Sequence, residues 1–272
     1  MRSFLALALF AGAAATVRGQ SVPVSDVEDF ASRVRASTAR YQDQDLALRD
    51  GYRRIGPDFP SMGEHWLHRA IVMRGEIDPL RPPILEYITV NGRPVLAGVA
   101  YAQLAYERAP VSPIPAPDSA WHYHAGSVDE ESFIASHDAG GASDTTSGPR
   151  IAVLHAWLWT ENPAGLFATD NWMLPWLRLG IQPPVLGPSP DSLTMIAALA
   201  AGGEDYFATL LRLRHGLGPG DAEKVAGILR RYSEKLRGSE LTFTELAAGW
   251  RAVENELQAV CEHCSLAAHR HR

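Results

Sequence analysis

The chain has 272 residues, 46% hydrophobic and 21% charged. That balance belongs to a folded globular protein and excludes a disordered chain, a collagen-like fibre and a small disulfide scaffold. With 25 basic and 31 acidic residues the net charge is -6, so the basic stripe that a polyanion needs is missing and no nucleic-acid partner is expected.

Residues 1–19 read as a secretory signal peptide. Arg2 is a short basic start, Phe4 to Thr16 is apolar and rich in Ala and Leu, and small Gly19 precedes Gln20. The apolar run falls short of the ~20 residues that span a bilayer. Cleaved, it leaves an exported chain, periplasmic or secreted; uncleaved, it is an anchor, and export is the expectation. No later segment reads as a transmembrane span.

Ser25-Asp26-Val27-Glu28 has the spacing of a capping box, and Val27, Phe30, Val34 and Tyr41 follow at helical intervals. They predict a long amphipathic helix from about Asp26 to Gly51, with Gly56-Pro57 and Phe59-Pro60 as breakers. Ile84 to Val90 and Pro94 to Tyr101 are apolar, β-branched runs joined by Asn91-Gly92, a strong hairpin signal. Ala109 to Pro117 carries four prolines and reads as a surface connection. Trp121 to Gly126 bears two histidines, and His137 to Pro149 is a loop rich in Gly, Ser, Thr and Asp.

Ile151 to Thr160 is the most apolar strand candidate, with Ile151, Val153, His155, Trp157 and Trp159 on one face. Asn162-Pro163-Ala164-Gly165 turns the chain into a short helix within Phe167 to Leu179. Four prolines mark residues 181–190 as a linker, between an α+β core domain over 20–180 and a helical region over 191–272. In that region Ser189-Pro190 looks like a helix start and Gly202-Gly203 like a stop. Ala222, Val225, Leu229 and Tyr232 form a stripe ended by Gly238. Thr242 to Glu245 is a second capping box, leading into Leu246, Trp250, Val253, Leu257 and Val260.

Ten histidines carry most of the chemistry this composition offers. In an extended segment, residues two apart face the same way, so His122 and His124 project together. Imidazole is the commonest neutral metal ligand, and several converging histidines make a zinc, copper or iron site. The expectation is that His65, His124 and His155 converge, with His122, His68 or Glu64 completing the set. The alternative for each histidine is a hydrogen bond inside the core. Glu64-His65-x-x-His68 is no zinc-protease motif, because the glutamate precedes both histidines.

The two cysteines, Cys261 and Cys264, stand as Cys-Glu-His-Cys. In an oxidising compartment they form a disulfide closing a very short loop; reduced, they bind a soft metal with His263, His269 or His271 nearby. Five tryptophans between Trp121 and Trp176 are either core or, exposed, a stacking surface for a ligand. Glu161, Asp170 and Asn171 are possible acids or amides near the end of the His155 strand, and Asn162 and Asp170 serve equally as turn residues.

Ala39-Arg40-Tyr41-Gln42-Asp43, Met62-Gly63-Glu64-His65-Trp66, Asp78-Pro79-Leu80-Arg81-Pro82-Pro83 and Leu96-Ala97-Gly98-Val99-Ala100-Tyr101 stand in this order, followed by Leu154-His155-Ala156-Trp157-Leu158-Trp159 and Asn162-Pro163. In these motifs, across about Thr38 to Asn171, the chain resembles a family of uncharacterised exported bacterial proteins. The resemblance implies that His65 and His155 belong to a shared core, and it implies no reaction. The chain departs from that pattern where Asp170-Asn171-Trp172 replaces a segment ending in cysteine. Trp121 to His124 and the helices after Ser189 look like additions.

The reading as a whole is an α+β fold with an N-terminal helix, an antiparallel sheet containing the hairpin and the His155 strand, and a helical C-terminal region. Its expected function is an exported protein with a transition-metal site (zinc, copper or iron) on His65, His122, His124 and His155, its partner a small molecule or an envelope component and its reaction unassigned. The alternative is a non-catalytic envelope protein that binds a ligand or partner through a tryptophan-rich surface.

Overall fold

The computed structural model describes residues 24–105, 112–125, 131, 134, 150–238 and 241–267. The signal peptide and the 137–149 loop expected from the sequence lie outside them. The fold is α+β: an N-terminal helix, an antiparallel sheet of six strands and a helical C-terminal region.

The first helical stretch is interrupted where one continuous helix was expected. Helix α1 (Val24–Thr38) buries Phe30, Ala31 and Val34, and Ala39–Gln42 tighten into a 3-10 turn. The Asp43 carboxylate then accepts from the Asp45 amide at 3.0 Å and starts α2 (Gln44–Arg49). A short polar side chain that bonds to a nearby backbone N–H favours a new helix start over continuation.

Gly56-Pro57 does not end the next element but bends it. Strand β1 (Arg53–Phe59) continues through it with a register shift between Ile55 and Asp58. Gly56 has φ 62°, and Pro57, which has no N–H to donate, is tolerated at a bulge on an edge strand. Strand β2 (Gly63–Leu67) and the short helix α3 (Arg69–Val72) follow. The hairpin forms as read: β3 (Ile84–Val90) and β4 (Arg93–Ala105) join through Asn91 and Gly92 at φ 49° and 73°, both left-handed as a two-residue turn matching strand twist requires. Strands β5 (His122–Ala125) and β6 (Arg150–Ala156) complete the order β1-β2-β3-β4-β6-β5.

The C-terminal helices are α4 (Leu174–Leu179), α5 (Ser192–Ala200), α6 (Glu204–His215), α7 (Pro219–Arg237) and α8 (Phe243–Val260). Helix α4 covers only the end of the expected Phe167–Leu179 segment. Asp191, not Ser189-Pro190, starts α5, its carboxylate accepting from the Thr194 amide at 2.8 Å. Both halves of the Thr242–Glu245 capping box are made. From Thr194 to Ala200 every residue of α5 is buried, as expected of a helix surrounded by others.

Strand alternation divides the core between the two faces of the sheet. Leu85, Tyr87, Val99, Tyr101 and Leu154 pack on one face with Phe30 and Val34 of α1 and with Tyr52. On the other face, Ile84, Ala100, Ala102 and Val153 form a small apolar patch. Phe59, Met62, Ile88, Ala97 and Trp157 meet the C-terminal helices in one cluster that includes Trp176, Phe207, Leu229 and Leu246. Arg178 of α4 adds a two-pronged ion pair to Asp58 of β1, at 2.8 and 2.5 Å, a geometry that fixes orientation as well as charge.

Candidate metal centre

Between the apolar patch and the helical cluster, the same sheet face carries a row of ionisable side chains. His65 of β2 stands opposite Glu86 of β3, and Glu86 stands opposite Gly98 of β4. His155 of β6 pairs with Ala100, the next position of β4 on that face. His122 of β5 lies opposite Val153 and His124 opposite Ile151. Period-two alternation therefore puts His65, Glu86, His155, His122 and His124 on one side of the sheet.

Glu86 and His155 are separated by a whole strand, β4, so roughly two interstrand spacings of ~4.8 Å lie between their backbones. They meet because β4 offers only Gly98 and Ala100 beneath them. A Cβ at Gly98 would lie 2.5 Å from Glu86 Oε2 and 3.0 Å from a Trp157 ring carbon. The absent side chain is the space that the carboxylate occupies.

Glu86 is wholly buried, with His155 and His65 at 1% and 5% exposure. His155 Nδ1 pairs closely with Glu86 Oε1, and His65 Nε2 lies 3.7 Å from the same oxygen. One ligand atom from each of His65, Glu86 and His155 lies within 4.8 Å of the others, so the three can hold a metal ion. Glu86 Oε2 and His155 Nε2 have no hydrogen-bond partner among the described residues.

The imidazole of His155 is held on both sides. Trp157 is parallel to it at 5.9 Å between ring centroids, and His122 is parallel to it at 5.0 Å. His124 stands edge-on to His122 at 5.0 Å, one ring further out. Phe59 meets His65 edge-on at 5.6 Å. Such contacts set ring planes, and a carboxylate on one nitrogen selects which nitrogen points elsewhere.

The structure thus brings His65 and His155 together and sets His122 against them, with His124 beyond. It does not bring in Glu64 or His68. As neighbours of His65 at odd spacing they point to the opposite face, where Glu64 pairs with Arg54 at 2.8 Å and accepts from the Trp66 indole at 3.1 Å. The His68 ring packs edge-on against Tyr52 at 5.1 Å.

The acids and amides after β6 are turn fasteners. Asp170 accepts from Ser61 Oγ at 2.6 Å, and Asn162 donates to the Asp170 carbonyl. Asn171 donates to Thr160 Oγ1 and to the Glu161 carbonyl. Strand β6 ends at Ala156, so Trp159 is not part of its row. Trp121, Trp157 and Trp176 are buried and the other four tryptophans half-buried, which makes them walls and core.

Glu86 is the candidate ligand that the histidine count misses. Its signal is a lone acid at an inward position of an apolar strand, sharing a face with Ile84 and Ile88. A charge there requires a partner from another strand. Comparison with protein-family models, with curated proteins and with solved structures finds no match to this chain.

Proposed function

We propose that the chain is an exported metalloprotein that holds a first-row divalent transition-metal ion on His65, Glu86 and His155. The observation that carries this reading is the wholly buried Glu86 carboxylate, with one oxygen between two imidazoles and the other unpartnered among the described residues. An isolated buried carboxylate costs several kcal/mol or more, and a cation removes that cost.

Two nitrogens and a carboxylate suit zinc or iron(II). Three protein ligands leave a coordination position for water, the pattern of catalytic sites; structural sites close with four. An ion there would act as a Lewis acid and lower the pKa of bound water. His155, clamped between Trp157 and His122, and Glu86, seated over Gly98, would hold the ligand set in place while a small-molecule substrate takes the open side. The apolar, basic-started first residues and the resemblance to exported bacterial proteins support the periplasm or the exterior as its location.

The test is elemental analysis by mass spectrometry on mature, untagged protein from its native compartment. About one equivalent of zinc or iron is expected, lost in His65→Ala, His155→Ala and Glu86→Gln and retained when the chain is truncated before Cys261. Full occupancy in the point variants, or no metal after reconstitution, overturns the reading.

A further inference from the structure

A second group of ligands lies at the other end of the helical region. His215 is the last residue of α6, and Gly216 after it turns left-handed at φ 59°. Cys261 closes the C-terminus of α8, its amide bonding the Leu257 carbonyl at 2.9 Å. Cys264 returns under it, its amide donating to the Cys261 carbonyl at 2.8 Å, and its side chain is wholly buried. One ligand atom from each of His215, Cys261 and Cys264 lies within 4.8 Å of the others. The two sulfurs are joined as a disulfide.

We propose that His215, Cys261 and Cys264 form a redox-gated site for a thiophilic cation such as Zn(II), closed by the disulfide and opened by reduction. Two observations make the disulfide more than a staple. A bridge between residues three apart removes little chain entropy. The turn is also fastened without it: Glu254 accepts from Ser265 Oγ at 2.6 Å and from the Leu266 amide at 2.7 Å, and Leu266 is 2% exposed in the helical core. Reduction therefore leaves the two sulfurs together beside His215.

Position favours a cation as well. The C-termini of α6 and α8 converge here, and each places the negative end of its dipole and its unsatisfied carbonyls toward the site. The same field disfavours free thiolates, so the reduced pair rests as two neutral thiols until a bound cation displaces their protons. Two cysteines and one histidine are a zinc ligand set with one position open.

The chemistry balances with a dithiol as reductant. The donor gives two electrons and two protons, its own sulfurs join, and the Cys261–Cys264 bond becomes two thiols. Binding the divalent ion then releases both thiol protons to solvent. This site shares no residue with the His65 centre and does not rest on it.

The experiment compares chelator-stripped wild-type protein, oxidised or reduced anaerobically with a phosphine, in Zn(II) titrations against a chromophoric competitor. The reduced form is expected to bind about one equivalent more than the oxidised form. Co(II) in that increment is expected to give a thiolate-to-metal charge-transfer band, a readout that needs no variant. Cys261→Ser is expected to abolish the increment, and His215→Gln to weaken it by more than about tenfold. His65→Ala and His155→Ala should leave it intact, which separates its failure from failure of the first site. Equal stoichiometry in both redox states, absence of the charge-transfer band, or unchanged affinity in His215→Gln overturns the proposal.

Discussion

The two faces of the sheet bury polar groups in opposite ways. On the face under α1, three tyrosines penetrate the core and each phenol donates to a backbone carbonyl: Tyr52 to Pro82 at 2.8 Å, Tyr87 to Tyr41 at 2.5 Å and Tyr101 to Pro79 at 2.7 Å. Burial is the main cause that pushes all three phenols up from their ordinary value, so they stay neutral. The other face gathers four histidines and a carboxylate, and Glu86 Oε2 and His155 Nε2 find no partner among the described residues. The first arrangement is what stability selects, since a satisfied polar tip adds a hydrogen bond to a large apolar body. The second leaves buried polar atoms without that compensation, which a cation bound as proposed would supply.

The sharpest contrast comes from one substitution on each face. Tyr101→Ala empties a wholly buried site and is expected to cost about 3–5 kcal/mol, read by denaturant unfolding, with metal stoichiometry in the surviving folded fraction unchanged. Gly98→Ala puts a methyl group where Glu86 Oε2 sits. It is expected to cost about 1–3 kcal/mol through overpacking and to weaken metal binding roughly 10–100-fold. An alanine that left affinity untouched would show that Glu86 does not need the space above β4.

Tyr101→Phe removes only the hydroxyl and should cost about 1 kcal/mol. It also sharpens a pH effect. A phenol whose folded pKa is raised above its unfolded value of 10.0 keeps its proton in the folded state while the unfolded state loses it. Stability is then fully present below pH 10 and declines as pH rises beyond it. Thermal midpoints measured on either side of that value should fall less steeply in Tyr101→Phe than in wild type.

The smallest expected change in stability is at Glu86. Metal-free Glu86→Gln should unfold within about 1 kcal/mol of wild type or be more stable, because the amide keeps the carboxylate's shape and an oxygen that can accept from His155 Nδ1 while removing the cost of burying a charge. Its metal binding should nevertheless be lost. A strongly destabilised Glu86→Gln that still bound metal would reverse the comparison and make Glu86 a structural ion-pair partner.

Local signals account for much of the architecture. Asn91-Gly92 defines the hairpin because both residues tolerate φ above zero, and Thr242 with Glu245 starts α8 because each satisfies the other's backbone N–H. The alternation that puts His122 beside His124 is a property of any extended chain. Where neighbouring signals compete, the outcome is not local. Asp43 restarts a helix that periodicity alone continues, and the Gly56-Pro57 bulge survives because β1 is an edge strand that needs fewer amide donors.

The sequence by itself determined the α+β class, the alternation that aligns His122 with His124, and the presence of several histidines able to take a metal. These depend on interactions within a few residues, where periodicity and turn chemistry are legible. Only the tertiary structure decided that Glu86 reaches His155 across β4, that His124 stands beyond His122, and that His215 meets the cysteines. Strand order, register and helix packing bring together groups dozens of residues apart, and they are set by the burial of whole faces rather than by any local spacing.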